Sequence, residues 1–248
     1  MKARRARGIS MVEILVGLAL GLVLVSGVSS LVVGSRQTGR AERNLLEMQA
    51  TGRFATEMLA REIRKAGYRG NRERSLEDLF PAAAVPFLSA GSVVAGGAAG
   101  DEITVRFQGL DNTATGLVDC LGNGVNPNHD VWQTLSLVNG ELRCRTRNLT
   151  TATDETVALM SQIEALLFTF GVDTDGDSYA DAYRAAAAVG DWARVASVNV
   201  QLRVVSSESG VADAPQAYPG FDGVAVTPTD QRLRRTYATV VALRNLLP

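Results

Sequence analysis

The chain has 248 residues, 46% of them hydrophobic, and a formal net charge of −1 at pH 7. This length suffices for one domain with a buried core, and the near-neutral charge offers no basic surface of the kind that binds nucleic acid. With one histidine and two cysteines, a zinc site of clustered histidine and cysteine ligands is not expected.

The chain opens with a short basic stretch followed by a long apolar run. Four basic residues lie in the first seven positions, ahead of Gly8. Residues 9–33 contain a single charged side chain, that of Glu13. As a helix this run is roughly 37 Å long, enough to cross a bilayer core of about 30 Å. The basic flank is expected to stay on the cytoplasmic side.

A secretory signal peptide and a plain signal anchor are two alternative interpretations of this segment. The length of the apolar run and the lack of a clear small-x-small cleavage site after it disfavour the signal peptide. A plain anchor explains the basic flank and the apolar run. It does not explain Glu13, because a carboxylate in a membrane segment costs a few kcal/mol on insertion scales.

Gly17 and Gly21 form a G-x-x-x-G pair within the apolar run. Such a pair allows another helix to approach closely. Glycine is also simply frequent in membrane helices, so the sequence leaves both interpretations open.

Residues 35–68 have the apolar periodicity of an amphipathic helix. Because no proline interrupts residues 9–68, the sequence predicts one continuous helix of roughly 90 Å, which Gly67 and Gly70 could end. Its apolar stripe, expected to pack on a globular domain, consists of Leu45, Met48, Phe54, Ala55, Met58, Leu59, Ile63 and Ala66.

Strand patterns follow the helix, after an irregular or linker segment at 82–100. Strands are predicted at 102–108 and at 131–138 and 141–147, the last two joined by a turn at Asn139-Gly140, a strong hairpin signal. Residues 160–172 are expected to begin as helix and end as strand. Two more strands are predicted at 195–205, with a slip near Ser197, and at 235–246, separated by a polar loop at 206–230. A long helix followed by an antiparallel sheet is an α+β fold.

The two cysteines, Cys120 and Cys144, are candidates for a disulfide. If the part of the chain after the apolar run is exported, its surroundings are oxidising, which favours pairing. A bridge closing about 25 residues is worth on the order of 3 kcal/mol in the chain-entropy treatment. The alternative is two free buried thiols.

An acidic cluster at residues 173–181 resembles part of a calcium loop. Aspartates occupy its positions 1, 3, 5 and 9, and the Tyr179 carbonyl could serve at position 7; the candidate calcium ligands are Asp173, Asp175, Asp177, Tyr179 and Asp181. Position 6 is Ser178 rather than glycine, and position 12 is Arg184 rather than a bidentate glutamate. The alternative is an Asp/Gly turn in which Asp181 caps a following helix.

The leader and the first mature residues resemble the class III signal of type IV pilins and pseudopilins. The shared features are the basic leader, Gly8, the apolar run and the glutamate at position 13. The resemblance implies that prepilin peptidase cuts between Gly8 and Ile9 and methylates the new N-terminus at Ile9. Glu13 then becomes the fifth mature residue. Ile9 stands where the family more often has phenylalanine.

Five short motifs resemble the PilW family of minor pilins. They occur in family order, and the similarity extends over most of the chain. They are Ile-Arg-Lys-Ala-Gly-Tyr at 63–68, Gly-Asp-Glu-Ile-Thr-Val at 100–105, Asp-Cys-Leu-Gly at 119–122, the stretch at 170–177 and Val-Ala-Leu-Arg-Asn at 241–245. The resemblance implies a type IV pilin-like fold divided into a cleaved leader (1–8), a transmembrane and filament-core helix (9–33), its amphipathic continuation (34–68) and a periplasmic β-rich domain (69–248).

By the same resemblance, the chain is expected to act as a minor pilin without catalytic activity. Its implied partners are prepilin peptidase, other minor pilins, the major pilin and the inner-membrane assembly platform. It would wait in the bacterial inner membrane with its N-terminus cytoplasmic and then help to prime pilus assembly, at the pilus tip on the cell surface. A minor pseudopilin of type II secretion is one alternative. A membrane-tethered calcium-binding or adhesive domain that does not polymerise is another.

Overall fold

The computed structural model describes residues 10–70, 73–83, 86–87, 89–109, 116–127 and 129–246. Helix α1 (Met11–Ile63) has 53 residues and is about 80 Å long. The described residues from Arg64 onward are called the head. Helix α2 (Leu76–Leu79) and eleven strands lie in it, namely β1 (Val94–Gly96), β2 (Glu102–Phe107), β3 (Val131–Val138), β4 (Glu141–Asn148), β5 (Thr153–Met160), β6 (Ile163–Val172), β7 (Ala182–Arg184), β8 (Val195–Val205), β9 (Tyr218–Pro219), β10 (Ala225–Val226) and β11 (Arg234–Ala242).

Helix α1 ends five residues before the predicted end at residue 68. Tight turns follow Ile63, and Gly67 has a φ of +71°, a left-handed conformation that favours glycine and ends helices. The Gly67 N–H donates to the carbonyl of Arg106 on β2 at 2.9 Å instead of to a helix carbonyl. The sheet therefore replaces the helical hydrogen-bond ladder at this point.

The strands form two main antiparallel sheets rather than the single sheet that was predicted. One sheet is a meander in the order β1-β2-β3-β4-β5, the other has the order β11-β8-β6-β7, and β9 and β10 form a separate two-stranded ribbon. The hairpin at Asn139-Gly140 is confirmed, with φ of +54° and +78° at its two turn residues. The α+β class is confirmed as well.

Several strand predictions need correction. Residues 163–172 are strand throughout, so the predicted helical start of the 160–172 segment is wrong; pairing with β8 along the length of β6 outweighs local helix preference. Strands β1, β5, β7, β9 and β10 were not predicted. The β5 residues are mostly exposed on both faces, so they lack the alternation by which a half-buried strand is recognised.

The slip near Ser197 is confirmed, because the register between β6 and β8 shifts there.

One hydrophobic core joins α1 to both sheets. The buried face of α1 recurs at three- and four-residue steps through Met48, Gly52, Ala55, Leu59 and Ile63, all of which are buried. Phe54, expected in this stripe, is 58% exposed, because it lies about 200° around the helix from the buried Gly52. The half of α1 beyond Asn44 is thus part of the head core, and the half before it is not.

Candidate functional site

The N-terminal half of α1 is an exposed apolar rod. Its large side chains are 45–82% exposed from Met11 to Val33, and this is the one helix of the described chain that is long and apolar enough to cross a membrane, by length and composition. A Cβ atom at Gly17 or Gly21 would meet no other atom within 4 Å. Nothing in the described chain covers this surface, so it is available to lipid or to another protein.

Glu13 lies in the first turn of this rod. Ser10 is the N-cap, and its Oγ accepts from the Val12 N–H at 3.3 Å. The order Ser-x-x-Glu is the pattern of a capping box, a signal that is present in the sequence and was not recognised there. A negative charge is also favoured near a helix N-terminus. Glu13 is therefore compatible with the helix start and still exposed. Gly8 and Ile9, the predicted cleavage and methylation positions, lie outside the described residues.

The predicted disulfide joins Cys120 to Cys144, with Cα atoms 6.5 Å apart. It connects the loop at 116–125 to the buried side of β4, where Cys144 is fully buried. The bridge therefore holds a loop of the head against the five-stranded sheet.

A buried polar network beside this loop was not predicted from the sequence. Glu62 on α1 is 2% exposed and Lys65 is 8% exposed; they form an ion pair. The Glu62 carboxylate also accepts from Gln133 Nε2 at 2.7 Å, and Lys65 Nζ donates to the carbonyl of Val118 at 2.8 Å. Burial lowers the pKa of Lys65, while the adjacent Glu62 opposes that shift. The network ties the end of α1 to β3 and to the disulfide loop.

A single signal in the sequence could have indicated this network. Glu62 falls within the periodic apolar face of α1, three residues from Lys65, and charged residues are rarely buried unless they are paired. The third partner, Gln133, is 71 residues away, so its position depends on the fold.

The acidic loop at 173–181 brings some of the predicted ligands together. Carboxylate oxygens of Asp173, Asp175 and Asp177 lie within 4.8 Å of one another. Asp181 does not join this group but accepts from the N–H and hydroxyl of Thr174, at 2.7 and 2.6 Å. Asp181 does not cap a helix, because β7 follows it and pairs with β6.

Backbone donors stabilise this loop. Asp173 accepts from the N–H groups of Gly176 at 2.6 Å and Ser178 at 2.9 Å. The Gly176 N–H, with smaller contributions from other donors, lowers the pKa of Asp173. The hydroxyl of Thr174 does the same for Asp181. Protein donors thus already stabilise two of the carboxylates, those of Asp173 and Asp181, as charged groups, and the oxygens of Asp173, Asp175 and Asp177 are close enough to one another to contact a single metal ion.

Comparisons with known proteins found a family model that matches part of the chain and a solved structure with a similar fold. Residues 130–245 match the family model of PilW, described as Type IV Pilus-assembly protein W. A comparison with curated protein sequences found no match. Among solved structures, the type IV-like pilin TTHA1219 from Thermus thermophilus is similar at 15% identity with a TM-score of 0.49, over 82% of this chain and 98% of that one.

The family match includes the β3–β4 hairpin, the acidic loop and the whole four-stranded sheet. The long apolar helix and antiparallel sheets also agree with the type IV pilin-like α+β fold that the sequence motifs implied. The match of residues 130–245, a little under half of the chain, to PilW supports a place for the chain among the type IV pilins.

Proposed function

We propose that the chain is a minor pilin that assembles with other minor pilins and helps to prime pilus assembly at the pilus tip. The observation that carries this proposal is the exposed apolar half of α1, with Glu13 as its one charged side chain. That half is continuous with the part of the same helix that lies in the head core. A subunit built this way can exchange a lipid environment for the apolar helices of neighbouring subunits.

Glu13 is proposed to set the axial offset, or register, between neighbouring subunits. In lipid its carboxylate is costly. In a bundle of subunits it could pair with the N-terminal ammonium that cleavage would create on Ile9 of a neighbour. Because opposite charges attract more strongly at low dielectric, and because an unpaired charge there is penalised, the pair would favour one axial offset between subunits.

Processing is the first test. In the native host, the Gly8→Ala variant should keep the leader, which mass spectrometry of the purified chain would detect, and pilus number should fall. The Gly17→Ala variant is the matched control and should be processed normally. If Gly8→Ala gave a chain of mature mass and normal piliation, the assembly proposal would be wrong.

The register proposal has its own test. The Glu13→Gln variant removes the charge but keeps the size of the side chain, and Ile14→Ala alters a neighbouring exposed side chain without changing charge. We expect Glu13→Gln to reduce the recovery of other pilins with a tagged copy from detergent extracts, and Ile14→Ala to leave it close to wild type. Equal recovery with all three chains would exclude a role for the Glu13 charge.

A deletion strain separates the alternatives. Loss of pili with normal protein secretion supports the minor-pilin proposal. Normal pili with loss of secreted enzymes would indicate a type II secretion pseudopilin instead. If both were normal and the chain remained membrane-bound, a tethered domain that does not polymerise would be the better description.

A further inference from the structure

A loop of the head, residues 206–213, contacts α1 just beyond the end of the apolar segment. Gln37 Nε2 donates to Asp213 Oδ1 at 2.5 Å. Asn44 Oδ1, on the next turns of the helix, accepts from the N–H of Glu208 at 3.4 Å. The loop at 206–213 is therefore fixed beside the helix immediately after Val33, with no spacer between the apolar segment and the head.

A groove of about 250 Å³ opens between this loop and the helix, and its walls include Val33, Arg36, Arg40, Glu208, Ser209 and Gly210. Arg36 and Arg40 are four residues apart and so lie on one face of the helix. Within the described part of the chain, neither guanidinium has an ion-pair or hydrogen-bond partner. Two unpaired positive charges thus face the same small space.

The loop side of the groove offers backbone donors. The N–H groups of Ser209 and Gly210 donate to no acceptor among the described residues, and both residues are exposed. Gly210 has a φ of +67°, a left-handed conformation used by the backbone turns that bind anions. The groove therefore combines guanidinium groups with free N–H groups, both of which bind phosphate oxygens.

The position of the groove along α1 indicates where its ligand would come from. If residues 9–33 span the bilayer, Arg36 lies about 4.5 Å beyond the apolar segment and Arg40 about 10 Å beyond it. The headgroup layer extends roughly 5–7 Å beyond the hydrocarbon on each side. Arg36 is then at headgroup level, and the long side chain of Arg40 can reach back to it.

We propose that this groove binds the headgroup phosphate of an anionic phospholipid in the outer face of the membrane while the subunit awaits assembly. Val33 would contact the start of the acyl chains. Among the residues that line the groove, Arg36 and Arg40 outnumber Glu208 by one charge, which favours an anionic headgroup over a zwitterionic one. The inference rests on the proposed membrane-spanning role of residues 9–33 and is independent of pilus priming.

Native mass spectrometry of the full chain in detergent micelles tests the proposal. The probe is an equimolar mixture of dioleoylphosphatidylglycerol and dioleoylphosphatidylcholine, and the readout is the ratio of the two lipids retained. We expect phosphatidylglycerol to be preferred. Because a basic side chain near an anionic membrane is worth about 1 kcal/mol, the preference should fall about fivefold for each arginine replaced in Arg36→Gln and Arg40→Gln.

Two further variants sharpen the test. Glu208→Gln removes the competing carboxylate and should increase the preference for phosphatidylglycerol. Arg53→Gln removes an exposed arginine about 20 Å farther along α1 and should leave the preference unchanged. Thermal unfolding followed by tryptophan fluorescence should match wild type for every variant in phosphatidylcholine, which would show that the heads are folded.

The proposal is overturned if the wild-type chain retains both lipids equally, or if the Arg36→Gln/Arg40→Gln double variant keeps the wild-type preference. An arm with inorganic phosphate separates the two sources of the anion. Displacement of phosphatidylglycerol by an equal concentration of inorganic phosphate would show a free-anion site and overturn the lipid assignment. None of these measurements depends on pilus assembly. A failure of the lipid proposal is therefore distinguishable from a failure of the proposed function.

Discussion

The ring of Tyr237 on β11 lies directly over Gly52 of α1, in the space that a side chain at position 52 would fill. A Cβ atom at Gly52 would be 2.1 Å from Cε2 and 2.3 Å from Cζ of that ring. The Tyr237 hydroxyl donates to the carbonyl of Met48 at 3.1 Å, one helical turn earlier. This contact sets how closely the second sheet approaches the helix that carries the apolar rod.

Replacing this glycine should therefore destabilise the head. Alanine is the better helix former by roughly 0.5–1 kcal/mol, but Gly52→Ala would displace the Tyr237 ring, and overpacking of this kind costs about 1–3 kcal/mol. We expect a net loss in guanidinium unfolding of the full chain in micelles, followed by tryptophan fluorescence. Gly17→Ala, which meets no neighbour, is the control. If Gly52→Ala were as stable as wild type, the contact would be looser than described.

Loss of the disulfide should lower the stability of the head. The bridge spans a sequence separation of 24, which corresponds to about 3 kcal/mol in the chain-entropy treatment. We expect the Cys120→Ser/Cys144→Ser double variant to unfold at lower denaturant than wild type. A reductant should destabilise wild type and leave the variant unchanged. A reductant effect on the variant would show that the loss has another origin.

Replacing Glu62 should lower the stability of the head more than replacing its exposed neighbour Arg61. Glu62→Ala leaves Lys65 buried without its carboxylate and Gln133 without its acceptor, and breaking a buried pair in this way costs about 3–5 kcal/mol. Arg61 contacts the same carboxylate, but its side chain is 72% exposed, so Arg61→Ala should cost less than about 1 kcal/mol. Equal losses in denaturant unfolding would show that the buried network contributes no more than a surface pair.

Acid should weaken the head in a defined pH range. The Arg234 guanidinium, which hydrogen-bonds Asp230, lowers the pKa of Asp230 to about 2. Because the folded pKa lies below the unfolded value of about 3.9, the unfolded chain binds more protons between these values, and stability falls as the pH drops from about 4 to 2. In Asp230→Asn the melting temperature should depend less steeply on pH over that range. An unchanged pH profile would argue against this contribution.

Calcium binding by the acidic loop stays a prediction. The three clustered carboxylates, Asp173, Asp175 and Asp177, could coordinate the ion with oxygen ligands at short range. If they do, millimolar calcium should raise the melting temperature of the full chain and the rise should be lost in Asp177→Asn. Asp191→Asn, outside the loop, is the matched control. No thermal shift and no heat in calorimetric titration at millimolar calcium would remove the prediction.

The strongest local patterns were predictive because they do not depend on the fold. The uninterrupted run through residues 9–68 predicted the helix, and Asn139-Gly140 predicted a hairpin because both residues tolerate a positive φ. The alternation of apolar residues along β2, β8 and β11 made these strands recognisable in the sequence. Strand β5 lacks that signal because it is an exposed edge, and β6 was partly misassigned because an apolar run suits a helix or a buried strand.

The sequence by itself determined the apolar rod, its single carboxylate and the family resemblance, since these depend on residue order along one segment. Tertiary structure decided where the head contacts α1. Gln37 meets Asp213 across 176 residues, and Glu62 meets Gln133 across 71. Such pairs depend on how two sheets pack against one helix. For the same reason the groove beside Arg36 and Arg40 could not be predicted: half of its wall comes from a loop that reaches the helix only when the chain is folded.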